Sequence, residues 1–341
     1  MTSYFIRRFL LLIPTFIGIT FLVFAITRFV PGGPIDQMMA AAQGAASEAG
    51  GGGGGATTFD VPQSVIDAMN ERYGFDKPFY VAYFHWLGDV LTGNLGTSYK
   101  FNLPVLGLIV SRFPVSLYFG LIGFFLAYSV CIPLGIYKAI LHSGRFDIAS
   151  SALVFVGYSI PGWALGGVLL VLLGGGSFLD LVPLGGFRSE NWNELSWFGK
   201  IVDQLHHTIL PVISYAVAQF AVLTMLMKNS LMENLGQDYV RTAFAKGLSE
   251  RRVIWVHVLR NSLIPISTGL GHALSVVMAG SYLVEKVFNI DGVGYLGFIS
   301  IVERDYAVVM GILVINVVLL LLGNIISDVL YVLVDPRIRF N

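Results

Sequence analysis

Six histidines, His85, His142, His206, His207, His257 and His272, and one cysteine, Cys131, are the side chains of this chain best suited to ligate a metal or to act as nucleophile and base. A metal site needs such groups brought to one face, as a helical His-x-x-x-His or as paired Cys and His positions. Neither spacing occurs, so no metal ligand is assigned. Cys131 lies between Val130 and Ile132 in an apolar run and reads as packing. The pair His206-His207 falls where an apolar stretch begins, a wet position that asks nothing special of histidine. No Ser, His and Asp set at credible spacing emerges, so no catalytic residue is assigned. A Gly-x4-Gly-Lys-Ser/Thr phosphate loop is also missing, so this polypeptide is not a P-loop nucleotide hydrolase.

The elements that carry these residues are set by the bilayer. The chain is 55% hydrophobic and 12% charged, with zero formal net charge and a mean hydropathy of +0.73. A soluble domain is about 25% charged, so membrane is the main solvent, and neither nucleic acid nor an acidic partner has compositional support. Crossing the hydrocarbon takes about 20 apolar residues in a helix. Six stretches qualify: Phe9 to Phe29, Pro114 to Tyr137, Ile148 to Leu173, Thr208 to Met227, Leu263 to Val284 and Ala307 to Val334. The fold class expected is therefore an all-α polytopic membrane protein with six transmembrane helices. With both termini cytoplasmic, 12 of the 21 Lys and Arg residues fall on the cytoplasmic side, as the positive-inside bias favours. The first stretch reads as a retained signal anchor, because no small-x-small cleavage site follows it.

Four regions follow: residues 1–29 as the anchor, 30–113 as a periplasmic segment, 114–334 as a core of five spans with a cytoplasmic loop at 229–262, and 335–341 as a tail. Within the second, residues 40–56 hold six consecutive glycines and read as a flexible linker. Val65, Ile66 and Met69 recur at helical spacing. Tyr80, Tyr83, Phe84, Trp86 and Leu87 form an aromatic stripe, read as interfacial anchoring with partner docking as the alternative. Two more external loops are expected at Gly174 to His207 and Glu285 to Tyr306. Pro161, Pro211 and Pro265 allow bends in the spans. Tyr158, Trp163 and Asn316 are candidate substrate-path residues, since polar groups in a span face protein or water. Asp328 is expected to pair with Arg337 or with a neighbouring subunit.

The most informative stretch lies between the fourth and fifth spans. Tyr239 to Leu248 favours a short helix closed by Gly247, which accepts a left-handed backbone. Ser249 is an N-cap candidate for a second helix, Glu250 suits its positive end, and Ile254, Val258 and Leu259 form an apolar face. On the residues alone this is either an interfacial hairpin or a docking element.

Ala243 and Gly247 match the Glu-Ala-Ala-x3-Gly signature of the coupling loop in binding-protein-dependent ABC importer permeases, with Arg241-Thr242-Ala243 at the Glu-Ala-Ala positions and Leu259 retained downstream. Tyr239 to Leu248, Arg260 to Pro265, Val284 to Phe288, Gly292-Val293-Gly294, Arg304-Asp305-Tyr306 and Asp335 to Arg339 together resemble the dipeptide, oligopeptide and nickel branch. Pro31 to Gln37, Tyr73 to Pro78 and Gly144 to Asp147 resemble its Yej-type subfamily, importers of oligopeptides and microcin C.

This resemblance implies a type I ABC importer permease fold in a bacterial inner membrane. The chain then forms half of a path completed by a second homologous permease subunit. Two ABC ATPase subunits use ATP and Mg, so no cofactor is bound here directly, and a periplasmic peptide-binding protein delivers cargo. Tyr239, Arg241, Thr242, Ala243, Lys246, Gly247 and Leu248 are the expected contacts to an ATPase, with Ala243 and Gly247 seating the loop and Arg241 and Lys246 pairing with acids. The rival reading, an ion-coupled secondary transporter, predicts inverted repeats and buried ion ligands, and the sequence displays neither.

Overall fold

The computed structural model describes residues 2–29, 76–176, 178–267, 269–270 and 280–334, with isolated positions 39, 62, 63, 67 and 70. The glycine-rich stretch 40–56, the positions Val65, Ile66 and Met69 and the tail 335–341 lie outside the described residues.

The regular elements among them are helices: α1 (Thr2–Phe29), α2 (Phe79–Leu91), α3 (Val105–Ile140), α4 (Arg145–Ser159), α5 (Gly162–Leu173), α6 (Trp197–Leu235), α7 (Asp238–Ala245), α8 (Glu250–Arg252), a π-helical turn (Val253–Val258), α9 (Leu259–Ser262), α10 (Tyr282–Val287), α11 (Val293–Val302) and α12 (Tyr306–Val334). Four are long and apolar enough to cross a membrane: Leu10–Phe29, Val105–Ile140, Trp197–Leu235 and Tyr306–Val329. α4 and α5 make a fifth if the bent pair is one span.

α3 and α6 form the central pair, joined by small residues that let two backbones approach. A Cβ on Gly135 would stand 2.6 Å from the Met227 Cβ, and one on Gly123 would stand 3.0 Å from the Tyr215 Cβ. Around this pair, Phe119, Leu170, Leu210, Val284, Phe288 and Ile290 fill one end of the bundle. Ile136, Ala139, Met227, Leu231, Val253 and Val258 fill the other. α1 packs beside α12, where Arg8 pairs with Asp328. Arg8 is thus one partner of Asp328, because its turn of α12 faces the start of α1; the expected partner Arg337 lies outside the described residues.

Several expected boundaries are corrected. The third stretch is not one straight span. Ile160 is extended (φ −100°, ψ 120°) as residues before proline prefer, and the axis turns by 94° between α4 and α5. Pro211, by contrast, leaves α6 continuous. Much of the fifth expected span, 271–279, is outside the described residues. Its end is not at Val284, because Gly280 has φ +74° and Ser281 is extended before α10 starts.

The expected loop from Glu285 to Tyr306 is instead two helices. α11 has ten residues, too few to span, yet Val293 and Leu296 are buried against α3 and α12. α6 begins at Trp197, inside the expected loop 174–207, because the Ser196 hydroxyl caps it by accepting from the Gly199 N–H at 3.1 Å. His207 is consequently buried rather than wet. Its Nδ1 is 3.1 Å from the Gly186 carbonyl and its Nε2 is 3.2 Å from Ser189 Oγ. The aromatic stripe of α2 divides by helical phase: Tyr83 and Trp86 pack on Phe24 of α1 while Tyr80 and Phe84 stay exposed.

Candidate functional site: a surface helix and a cavity

The short helix α7 is bound to the bundle by one face only. Val240 and Ala243, three residues apart and so on one side of a helix, are buried against Ile136 and Ala139 of α3 and Met227 and Leu231 of α6. Tyr239, Arg241, Thr242, Phe244 and Lys246 are exposed on the other sides. Arg241 meets Asp238 at 3.6 Å with both side chains largely in solvent, a contact worth little by itself. Arg251 and Arg252, just beyond the turn, extend the basic surface.

The turn that ends α7 is the one its glycine favours. Leu248 N–H reaches the Ala243 carbonyl at 3.4 Å and Gly247 N–H reaches the Phe244 carbonyl at 2.9 Å. That pairing, with Gly247 at φ +76°, is the Schellman closure. Leu248 folds back onto the same core as Ala243. Ser249 occupies the N-cap position of α8, although its hydroxyl makes no capping bond.

This geometry corrects one expected role. Ala243 does not face outward to seat the loop on another protein: helical phase turns it inward, where its small side chain lets α7 lie close on α3 and α6. Leu248 is likewise packed on the core. The outward set is Tyr239, Arg241, Thr242, Phe244, Lys246 and Gly247.

The helix that follows has an uncommon winding. In an α-helix Val253 and Val258 would point about 140° apart at 100° per residue, yet both are fully buried. The π turn reconciles them, and it places Trp255, Val256 and His257 consecutively on the exposed side.

At the opposite side of the α3–α6 pair lies a cavity of about 470 Å³, with walls from α3, α5, α6 and the 280–284 segment, among them Phe124, Trp163, Tyr215, Gln219, Ser281 and Tyr282. Among the described residues no Asp, Glu, Lys, Arg or His lines it. Trp163 is thus placed in the wall. Asn316 stands behind, beside Tyr282, with its Oδ1 buried and unpartnered among the described residues. Tyr158 is not brought to the cavity: it sits across the 94° bend and is 53% exposed.

Two clusters near these features escaped the sequence reading. Asp147 bridges two buried lysines, accepting from Lys228 Nζ at 2.8 Å on both oxygens and from Lys138 Nζ at 3.1 Å. It ties α4 to α3 and α6 beside the core on which α7 rests. Glu285 is fully buried behind the cavity wall and accepts from Ser116, Tyr215 and the Tyr295 N–H. Gly144-Arg145-Phe146-Asp147 and Val284 to Phe288 were visible as motifs, but nothing local in either shows a carboxylate turned inward.

A family model described as the binding-protein-dependent transport system inner membrane component matches residues 131–340, which take in the cavity walls from α5 onward and the whole of α7. The chain belongs to this family. It is 41% identical to the inner membrane ABC transporter permease protein YejB of Escherichia coli O157:H7, across 100% of the chain and 99% of that relative. It is 37% identical to the peptidoglycan transport system permease protein YejB of Agrobacterium fabrum, over the same shares. It is 36% identical to the oligopeptide transport system permease protein AppB of Bacillus subtilis, over all of both chains. The permease is therefore a multi-pass inner-membrane protein of the ABC importer class, and the resemblance read from Gly247 and its neighbours is borne out.

Proposed function

We propose that this permease is one of two membrane subunits of an ATP-driven importer of oligopeptides or peptide-like compounds, and that α7 takes up the stroke of an ATPase subunit. The observation that carries this reading is the two-faced docking of α7. Its inner face, Val240 and Ala243, rests on α3 and α6, the same helices that wall the cavity. Its outer face offers Tyr239, Arg241, Phe244 and Lys246, aromatic and cationic groups suited to a groove bordered by acids. A push on α7 is then delivered to the cavity walls through packed side chains, since such cores transmit displacement. Peptide cargo is supported by the names of the relatives, two of which are a peptidoglycan and an oligopeptide system.

The partners follow from this reading: a second homologous permease, two ATPases that bind ATP and Mg, and a periplasmic peptide-binding protein. The test is uptake of a labelled oligopeptide into proteoliposomes holding all subunits. Uptake is expected to require ATP and to resist an uncoupler. Arg241→Glu with Lys246→Glu is expected to abolish it while the membrane subunits still assemble. Full uptake in that double variant overturns the role of α7, and uptake driven by an ion gradient without ATP overturns the importer class.

A further inference from the structure

We propose that Glu285 is a specificity-determining residue: its negative charge, held one layer behind the cavity wall, makes the cavity prefer substrates bearing a cationic amine, the free α-ammonium of a peptide, over uncharged analogues. This rests on the reading of the cavity as part of the path.

Burial pushes the Glu285 carboxyl up, and the hydrogen-bond donors around it act the other way, toward the ionised form. Oε1 accepts from Ser116 Oγ at 2.7 Å, from Tyr215 OH at 3.0 Å and from the Ser281 N–H at 3.4 Å. Oε2 accepts from the Tyr295 N–H at 2.8 Å. The two hydroxyls are themselves occupied as acceptors, Ser116 by the Val293 N–H at 2.7 Å and Tyr215 by the Ser281 N–H at 3.0 Å, so their hydrogens turn to the carboxylate. Every neighbour donates. An array of donors without an acceptor favours the anion over the acid.

That anion lacks a counter-ion in its own shell. Among the described residues no Lys or Arg lies within ion-pair distance of it, whereas Asp147 has two lysines. The adjacent Lys286 directs its ammonium over the rings of Tyr295 and Phe298, at 5.2 and 5.8 Å. A buried charge without a counter-ion attracts one.

The nearest open volume is the cavity. Tyr215 and Ser281 both line it and both touch the carboxylate. Gly280, also in the wall, lies so close that a Cβ there would be 2.7 Å from Oε1. Since no charged side chain lines it among the described residues, Glu285 is the formal charge nearest the cavity there. At an effective dielectric near 20, a unit charge about 10 Å away changes the affinity for a monovalent cation on the order of tenfold.

The experiment uses the membrane assembly, both permeases with their ATPases, in nanodiscs without binding protein. Two probes differ only in the ammonium: Ala-Ala-Phe-amide with a free amino terminus, and its acetylated form. The free amine is expected to bind about tenfold more tightly, and Glu285→Gln to bring the two within twofold without weakening the acetylated probe. Equal binding of the two probes by the unchanged assembly overturns the proposal, as does a tenfold contrast that survives in Glu285→Gln. If Glu285→Gln does not assemble, Glu285→Asp, which keeps the charge, is expected to keep the contrast, and its loss in an assembled Glu285→Asp overturns the proposal equally. Failure of ATP-dependent uptake with every peptide counts against the proposed function alone, because the binding contrast is read without transport.

Discussion

Replacing Gly247 isolates the closure of α7 from everything else in the permease. The residue has φ +76°, and a Cβ built there meets nothing within 4 Å. Substitution therefore adds no clash, and the whole cost is that of holding an L-residue in the left-handed region, about 1–2 kcal/mol. Asparagine, which tolerates that region, is expected to cost least, alanine more, and valine most among residues that retain the N–H. Proline has its φ fixed near −65° and cannot donate to Phe244, so the turn cannot form.

A cost of about 1–2 kcal/mol lowers the population of the closed turn roughly 5- to 30-fold. The rest of the bundle is untouched, because the inner face of α7 is held by Val240 and Ala243 rather than by Gly247. Thermal unfolding of the detergent-solubilised assembly is thus expected to change little. Coupling, measured as stimulation of ATP hydrolysis by loaded binding protein and as peptide uptake, is expected to fall in the order Gly, Asn, Ala, Val, Pro. Valine with parental uptake and stimulation refutes the reasoning, since a turn that can be loosened without effect does not transmit force.

Three further outcomes test the frame around this helix. Gly135→Ala places a methyl 2.6 Å from the Met227 Cβ, and the forced separation of α3 from α6 is expected to cost about 1–3 kcal/mol, read as a lower unfolding temperature in detergent. Asp147→Asn leaves both Lys138 and Lys228 without their shared carboxylate, while Lys228→Met leaves the Lys138–Asp147 pair whole; yield of folded protein is expected to drop far more for the first than for the second. Deleting Val256 from the exposed side of the π turn converts it to an α turn with both flanks still in register, and is expected to preserve folding while reducing peptide uptake.

What could be read in advance tracks how local the physics is. The closure of α7 was legible because a left-handed turn is a property of one residue, and Gly247 sits between a helical pattern and a good N-cap. Spans α1, α3, α6 and α12 were legible because length and hydropathy suffice. The break at Pro161 was visible only as a permitted bend: whether a proline kinks or is tolerated depends on the neighbours that take up its freed carbonyl, and Pro211 in α6 shows the same residue doing nothing of the kind. Helix phase also escaped, since α7 is too short for its polar and apolar residues to declare which side is covered, and Ala243 serves either side equally well by composition.

The carboxylates show the same limit from the other direction. Asp328, deep in an apolar span, drew notice, and its partner Arg8 sits more than 300 residues away in the chain. Asp147 and Glu285 border apolar runs and look like ordinary surface acids in sequence, yet both are buried by contacts from three or more elements. Their placement gives the permease an asymmetry that composition conceals. Asp147, balanced by two lysines, fastens the end of the α3–α6 pair on which α7 rests. Glu285, with no Lys or Arg at ion-pair distance among the described residues, fastens the end that borders the cavity through hydroxyl and amide donors. On the proposed coupling, a stroke delivered at α7 meets the Asp147 clamp first and reaches the cavity wall at a carboxylate held by hydroxyl and amide donors.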